Sequence, residues 1–444
     1  MRVLVVGGGG REHALAWRLS HSPGVRRLVV APGNAGIAAV ADCVPVSVDD
    51  IEGIVVLAAV ESADLVVVGP ETPLVAGLAD RLRAHGIAVF GPDAAAARIE
   101  GSKAWAKELM RRGGIPTARS GTFTESGPAI AFVDELGGRA VVKADGLAAG
   151  KGVTVAPDRD AAVAAVRGSL EAHDFGDAGA TIVVEELLEG PEVSAFALCD
   201  GRTVAPLVLG QDFKRALDGD AGPNTGGMGA FSPVPFVDRK TEEAIWDLAR
   251  RTVDAMSAEG VLYRGVLYLG LMLTADGPSV LEYNCRFGDP ETEVVMPRLR
   301  ADLAEVLLAC ATGDLADRRI GWSEEAAVTV VLASEGYPGR HETGTPIDGL
   351  DDAATVEGAV VFHAGTAMGN GRVVTAGGRV LAVSALGSTI EQARARAYEA
   401  CSRLSFQGMQ YRTDIAARAA RDEAFARAAP AVPAAEMERD EEER

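Results

Sequence analysis

Nowhere does an apolar run approach the roughly 20 residues a helix needs to cross a bilayer, so no segment is expected to span a membrane. Basic clusters are missing too. With 43 Lys and Arg against 63 Asp and Glu, the formal charge is −20, and an acidic chain without a basic stripe is a poor match for nucleic acid. An anionic small molecule would have to be held by local basic side chains and backbone N–H groups, against the overall field. Cysteine is scarce: Cys43, Cys199, Cys285, Cys310 and Cys401 are scattered, odd in number and without metal-ligand spacing. That usage suits a reducing compartment. A single basic residue precedes Val3–Val6 and no cleavage pattern follows, so a soluble cytoplasmic protein is expected. There is no internal repeat. What is present is 444 residues, 48% hydrophobic, too many for one core and enough for about three domains.

The first hundred residues alternate apolar strands (Val3–Val6, Arg27–Ala31, Leu65–Val68, Ala88–Phe90) with helical stretches (Ala14–Ser20, Val75–Ala84). Such alternation predicts βαβ units and a parallel sheet. Their loops, at the carboxyl ends where α/β sheets bind ligands, read Gly7-Gly-Gly-Gly-Arg-Glu-His-Ala14, Ala31-Pro-Gly-Asn-Ala-Gly36, Gly69-Pro-Glu-Thr-Pro73 and Gly91-Pro-Asp93. The four glycines open a helix whose N-terminus can meet an anion, or they serve only a tight turn. A dinucleotide is disfavoured: the third glycine of the fingerprint falls on Glu12 or His13, and the second strand ends without the ribose-binding acid. A compact phosphate ester fits better. His13, taken singly, reads as a helix residue with a satisfied ring.

Further on, Gly101–Pro116 reads as an amphipathic helix stopping at Gly113-Gly114, with Lys103 at its start. Lys143 lies inside an apolar strand, where an unpaired ammonium is costly, so an anionic partner is expected. The turn Ala148-Ala-Gly-Lys-Gly152 precedes a strand, the reverse of a P-loop. It is either a lid of backbone N–H groups over polyphosphate or a hairpin turn. The strand ending Glu185-Glu-Leu-Leu188 offers backbone and apolar contacts to an adenine edge, with Glu192 placed for ribose hydroxyls. The stretch Gly222–Pro233 is too rich in glycine to pack a core and reads as a shaped loop touching substrate. Before it, Lys214 and Arg215 bring positive charge, and Asp212 could receive an amine or a ribose hydroxyl. If Val280–Asn284 is a strand, half of a hairpin with Gly265–Thr274, then Glu282 and Asn284 share one face as hard oxygen ligands suited to Mg²⁺. A half-exposed strand with a polar face is the plain alternative. Beyond it, Ala327–Ser334, Ala359–His363, a Gly371–Val374 and Arg379–Leu386 strand pair, and helix Ser388–Arg403 predict a separate α+β domain. His363 is expected to serve closure or packing.

The order of Lys103, Lys143 with its glycine turn, Glu185-Glu-Leu-Leu188 and Glu282-x-Asn284 resembles the ATP-grasp ligases, which clamp ATP between two α/β lobes and join a carboxylate to an amine. More narrowly, GGGGREHA, PGNAG, KADGLAAGKGV, QDFKR, GPNTGGMGAFSP and EYNCRFGDPET are similar to the phosphoribosylamine–glycine ligase (glycinamide ribonucleotide synthetase) family, from Arg2 to about Ala420. The resemblance implies a multidomain α/β and α+β fold: a PreATP-grasp-like parallel α/β domain over 1–100, a two-lobed ATP-grasp domain over 101–326 with its small lid lobe at 118–192, and a small α+β domain over 327–425. Residues 426–444 are expected as a disordered acidic tail. It also implies ATP and Mg²⁺ (or Mn²⁺), the substrates glycine and 5-phosphoribosylamine, a glycyl-phosphate intermediate and a monomer. Glu282 and Asn284 would hold the metal. Lys103, Lys143, Gly150, Lys151, Gly152, Glu185, Glu186, Leu188, Glu192 and Asn224 would hold the nucleotide. Gly8, Gly10, Pro32, Gly33, Asn34, Glu71, Asp289 and Pro290 would bind substrate, the first five at the 5-phosphate. Arg286, Asp212 and Lys214 would act in catalysis, Arg286 at the acyl phosphate or glycine carboxylate. Gly270 stands where many ATP-grasp enzymes carry a further carboxylate, as it does in the narrower family. The alternatives are another ATP-grasp ligase or carboxylase, a nicotinamide enzyme, and a non-catalytic nucleotide-binding regulator. The last would be expected to lose Glu282 or Asn284.

Overall fold

The computed structural model describes residues 1–148, 152–316 and 318–428. Its first unit is a parallel sheet of β1 (Arg2–Gly7), β2 (Arg27–Pro32), β3 (Asp42–Cys43), β4 (Leu65–Val68) and β5 (Ala88–Phe90), in the order β3-β2-β1-β4-β5. Val3, Val5, Val30 and Val67 enter one core, while Leu4, Val6, Val29 and Val66 enter another. Both faces are covered, which is why these strands read as unbroken apolar runs. The first helix, α1 (Gly10–Ser20), starts before Ala14 because Glu12 Oε2 accepts the Gly9 N–H at 2.7 Å and fixes the first turn there. Helix α2 (Ile51–Val60) has no counterpart in the sequence reading, since its apolar residues run nearly all round and hide the period. The stretch expected as one helix at Val75–Ala84 is α3 (Glu71–Val75) and α4 (Leu78–Ala84), broken at Gly77 with φ +86°.

Helices α5 (Ala94–Gly101) and α6 (Lys103–Arg112) leave this unit. Ser102 separates them by accepting the Trp105 N–H as the α6 cap, which sets Lys103 in the first turn. A small antiparallel sheet follows, of β6 (Ser120–Phe123), β7 (Ala140–Ala144), β8 (Val153–Ala156) and β9 (Ile182–Glu186), ordered β6-β9-β7-β8. Helices α7 (Ser126–Glu135) and α8 (Arg159–Leu170) cover one face, packing Val133 and Val166 over Val142, Ala156 and Val184. Lys143 alternates with Val142 and so projects from the other face.

The rest of the chain builds one large sheet. In order come β10 (Glu192–Asp200), β11 (Val204–Asp212), a separate ribbon of β12 (Arg215–Leu217) and β13 (Ala221–Asn224), β14 (Gly229–Ser232), helix α9 (Arg239–Ala258), β15 (Arg264–Thr274) and β16 (Gly277–Asn284). Helices α10 (Glu291–Val295) and α11 (Leu303–Thr312) precede β17 (Ala326–Ser334), α12 (Leu350–Ala353), β18 (Ala359–His363), β19 (Thr366–Gly369), β20 (Arg372–Thr375) and β21 (Arg379–Gly387). Then come α13 (Ile390–Ser402), β22 (Met409–Gln410) and α14 (Ala417–Ala428). The sheet order is β16-β15-β10-β11-β14-β17-β21-β18, with β22 also on β17. Because β14 pairs with β17 from Gly229↔Val330 to Ser232↔Ala327, the C-terminal strands continue the central sheet rather than standing apart from it.

One expected pairing is overturned. β20 pairs with β19, not with β21, which lies between β17 and β18. Asn370 and Gly371, both at positive φ, make the tight turn of the β19–β20 hairpin, while Gly377 packs on Gly365 and sends the chain across instead of back. α14 extends through Ala428, past the start expected for the tail, and residues 429–444 lie outside the described residues. Among the described residues no helix is long and apolar enough to cross a membrane.

Candidate active site

Between the small sheet, the β15–β16 hairpin and the first unit lies a cavity of about 1420 Å³. The hairpin forms as expected, with Gly270 opposite Glu282 and Tyr268 opposite Asn284. Glu282 and Asn284 share a face and both line the cavity. A Cβ at position 270 would come within 3.2 Å of Glu282 Cγ, so the glycine leaves that carboxylate its room. Burial alone would raise the Glu282 pKa. The fields of Lys214, Lys143, Lys103 and Arg286 outweigh it, and the group is held below its ordinary value, as an anion. Among the described residues no three His, Cys, Asp or Glu side chains form a metal cluster. One carboxylate and one amide oxygen nonetheless suit a Mg²⁺-type ion that takes its remaining ligands from phosphates and water.

Lys143 finds the anionic partner that its buried strand position demands. Its Nζ lies 3.0 Å from Glu185 Oε1, an ion-pair contact, and donates to Leu281 O at 2.9 Å across to the hairpin. Lys107, absent from the sequence reading, holds the second oxygen of Glu185 at 3.0 Å and donates to Thr117 Oγ1 at 2.7 Å. Glu185 thus lines the cavity as the buried bridge between two lysines. Burial lowers the Lys107 pKa to about 8 despite Glu185, and also lowers that of Lys103. Glu186 accepts the Arg119 N–H at 2.7 Å, and with Leu188, Gly152 and Asn224 it stays on the cavity wall. Gly150 and Lys151 lie outside the described residues. Glu192 is bound by Lys214 Nζ at 2.5 Å. Asp212, in the same cluster, is raised to about 7, first by burial, with Lys214 opposing and Glu291, Glu192 and Glu282 reinforcing.

Arg286 is placed differently from a free anion receptor. Its guanidinium meets Glu71 Oε2 at 3.2 Å and Glu100 Oε1 at 3.1 Å, and donates to Asn284 Oδ1 at 3.2 Å and Phe287 O at 3.2 Å. Glu100 also accepts the Cys285 N–H at 2.7 Å. Arg286 and Glu71 therefore form a brace that aims Asn284, and Glu71 lines the cavity as an Arg286 partner. Asp289 pairs with Arg379 from β21 at 3.0 Å; burial works against its charge, but Arg379 and Arg11 hold its pKa below the ordinary value.

The glycine loop and the Pro-Gly-Asn loop do meet. Asn34 Nδ2 donates to Gly8 O at 2.9 Å and to His363 O at 2.7 Å, while its Oδ1 accepts the Gly36 and Ile37 N–H groups. Both ends of that side-chain amide are bonded within the protein, so Asn34 clasps the two loops together. Side chains at Gly7 and Gly69 would both strike Glu12. The glycines thus admit a carboxylate of the chain itself, which binds Arg11 Nε at 2.6 Å and presents Arg11 to the cavity. Gly8, Gly10, Pro32, Gly33 and Pro290 lie off the cavity wall, although a Cβ on Gly9 would be 3.7 Å from wall residue Asp289 and Gly227 packs on Pro290. His13 is buried and its Nδ1 accepts the His363 N–H at 2.7 Å, so neither ring faces the site. Arg11, Glu100, Lys107, Glu291 and Arg379 escaped the sequence reading. Arg11 and Glu291 stood inside the quoted motifs, and Lys107 lies one helical turn after Lys103.

A parallel N-terminal unit, a small antiparallel lobe and a large sheet closing over a lysine-rich cavity define an ATP-grasp enzyme. Models of the phosphoribosylglycinamide synthetase N, ATP-grasp and C domains match residues 1–100, 101–292 and 327–418. The chain belongs to the phosphoribosylglycinamide synthetase family. It is 53% identical over 424 residues to phosphoribosylamine–glycine ligase of Streptomyces coelicolor, covering 95% of this chain and 100% of that one. The solved phosphoribosylamine–glycine ligase of Thermotoga maritima superposes with a TM-score of 0.82 at 36% identity, over 94% of this chain and 100% of that one. A biotin carboxylase domain from Hydrogenobacter thermophilus, solved with ADP, magnesium and bicarbonate, shares the fold at a TM-score of 0.72 and 19% identity, covering 92% and 91%.

Proposed function

We infer that this chain is a carbon–nitrogen ligase of purine biosynthesis that joins glycine to 5-phosphoribosylamine with ATP, giving glycinamide ribonucleotide, ADP and phosphate. One observation carries the reading: Lys103, Lys107, Lys143 and Lys214 converge on one cavity with the Glu282–Asn284 edge, in a chain matching all three segments of its family. A carboxylate does not acylate an amine at neutral pH, so a glycine oxygen first takes the γ-phosphoryl group of ATP and ADP leaves. The amine of phosphoribosylamine then attacks the acyl carbon, the bond to the phosphorylated oxygen breaks, and phosphate departs with that oxygen.

The residues fit positioning and charge neutralisation, the main needs of phosphoryl transfer. Lys103 and Lys143 face the nucleotide phosphates. Leu188 and the Glu186 backbone border the adenine, and Glu192 with Asn224 the ribose side. Glu282 and Asn284 would hold Mg²⁺ or Mn²⁺, which when bound neutralises phosphate oxygens. Arg286 fixes Asn284 through Glu71 and Glu100 and keeps an N–H toward the acyl group. Asp212, titrating near 7, receives the amine proton, and Lys214 neutralises the charge beside it. Asp289 borders the ribotide from the cavity wall, the Gly8–Gly10 and Pro32–Asn34 loops and Pro290 stand behind it, and Arg11 and Arg379 supply its local positive field. The proposed units are 1–100, 101–326 and 327–425, working as a monomer in the cytoplasm, where the five unpaired cysteines stay reduced. ADP release measured with glycine and freshly made phosphoribosylamine, each omitted in turn, tests the reading: release is expected only with both. Release driven by bicarbonate in place of glycine contradicts it.

A further inference from the structure

The ribbon β12–β13 is separate from every other sheet, and residues 217–223, its outer part, are exposed. A two-stranded ribbon is marginal by itself. Yet its base carries Lys214 and Asn224, both on the cavity wall, and Arg215 Nη1 donates to Asn224 Oδ1 at 3.3 Å. Something must hold it. The tip is fastened from the far end of the chain by three residues between β22 and α14.

Arg412 is 1% exposed and is the largest fully buried side chain among the described residues. Its guanidinium grips Asp414 through two bonds of 2.7 Å, Asp220 Oδ1 at 2.8 Å and Arg215 O at 3.1 Å, with its Cζ 5.0 Å from the centre of the Phe213 ring. Asp414 Oδ2 also accepts the Gly219 N–H at 2.8 Å, and Asp218 accepts both the Thr413 N–H, at 2.8 Å, and the Thr413 hydroxyl. Phe213, Arg215 and Asp220 are thus tied to 412–414 by a planar, bidentate cation that a lysine could not replace, and Asp218 and Gly219 by Thr413 and Asp414. Arg412, Asp414 and Asp220 lie along the wall of the same cavity. The guanidinium is nonetheless buried, with its hydrogen bonds all to the protein, so Arg412 acts through the ribbon it holds.

We propose that Arg412 is a positioning residue for nucleotide binding: with Asp414 and Asp220 it clasps the β12–β13 ribbon in the one conformation that sets Lys214 against Glu192 and Asn224 against the cavity. The proposal rests on the ATP-dependent reading above. It makes the C-terminal segment part of the nucleotide site, through a salt-bridged clasp along the cavity wall.

Asp220 lies at the exposed edge of the cavity wall, its hydrogen bond is to Arg412, and its φ of +54° is one that asparagine tolerates, so it is tested together with Arg412. Full-length Asp220→Asn and Arg412→Lys are compared with wild type by calorimetric binding of a non-hydrolysable Mg·ATP analogue, by steady-state kinetics and by thermal melting. The expected result is a weakening of nucleotide affinity by about fivefold or more in both variants, with KM for ATP rising in step, KM for glycine changing less than about twofold, and Asp220→Asn melting like wild type. Wild-type affinity in Asp220→Asn overturns the proposal, as does an equal rise in both KM values. The two readings fail separately. Wild-type protein that binds the analogue but does not ligate removes the proposed reaction alone, and a ligating Asp220→Asn of normal affinity removes the clasp alone.

Discussion

Glu185 shows how a single buried carboxylate arranges a nucleotide site. It is 2% exposed and lies within 3.0 Å of both Lys107 and Lys143, so the bridge leaves one net positive charge facing the cavity. Removing Lys107 leaves Glu185 to neutralise Lys143 alone. Lys107→Met is therefore expected to raise KM for ATP by about tenfold with a smaller change in kcat, read by steady-state kinetics. Burial puts the Lys107 pKa at about 8, so in wild type the ammonium is lost as pH rises through 8 and KM for ATP climbs there; the Met variant lacks that climb. A pH-independent KM in wild type, or an unaltered KM in the variant, removes Lys107 from the site. The need for a partner at Lys143 was legible in the sequence, because an ammonium in an apolar strand cannot stand alone. Lys107 was not, because among Glu108, Arg111 and Arg112 it looks like one more residue of a solvated helix face.

Among the elements, the β15–β16 hairpin was the most readable. Alternation placed Glu282 and Asn284 together, and register confirms the pairing with Gly270. The reason for the glycine is spatial: Gly270→Val would drive a branched side chain onto Glu282 Cγ. Its expected effect is a fall in kcat of at least about tenfold with the melting temperature little changed, whereas wild-type turnover would show that Glu282 tolerates displacement. The glycine loop was half legible. Its sequence announced a helix N-terminus that attracts negative charge, but not that Glu12 supplies that charge from within the same turn. The β19–β20 hairpin was missed although Asn370-Gly371 marks it, because the longer apolar run at Arg379–Leu386 drew the pairing to itself. Loop residues such as Asn34 and Glu71 had the right polarity for substrate, and only three dimensions show them bound to the protein.

At the scale of the molecule, the first unit is joined to the C-terminal strands through a buried polar seam. His13 accepts the His363 N–H, and Asn34 ties both loops to the same strand end. Burial, with the neighbouring His363 field, lowers His13 to about 3, and burial lowers His363 to about 4, against 6.5 ordinarily. Between about pH 4 and 6.5 the unfolded chain then binds more protons than the folded one, so stability falls as pH drops through that window. Urea midpoints at pH 7 and pH 5 read this: wild type is expected to lose more stability than His13→Gln over the interval, and equal losses contradict the assignment. The multidomain α/β character was legible because short apolar strands alternate with helical stretches from the first residues on. The continuity of the central sheet through β14 and β17 was not, since a strand's sequence does not name its neighbour.

In the proposed reaction an acyl phosphate is made and consumed in the one cavity lined by Lys103, Lys143, Lys214 and the Glu282–Asn284 edge. The direct measurement uses glycine carrying ¹⁸O in its carboxylate, in complete turnover with ATP and phosphoribosylamine, with mass analysis of the released phosphate. A glycyl-phosphate route transfers one labelled oxygen from each glycine to phosphate. Phosphate without label contradicts it.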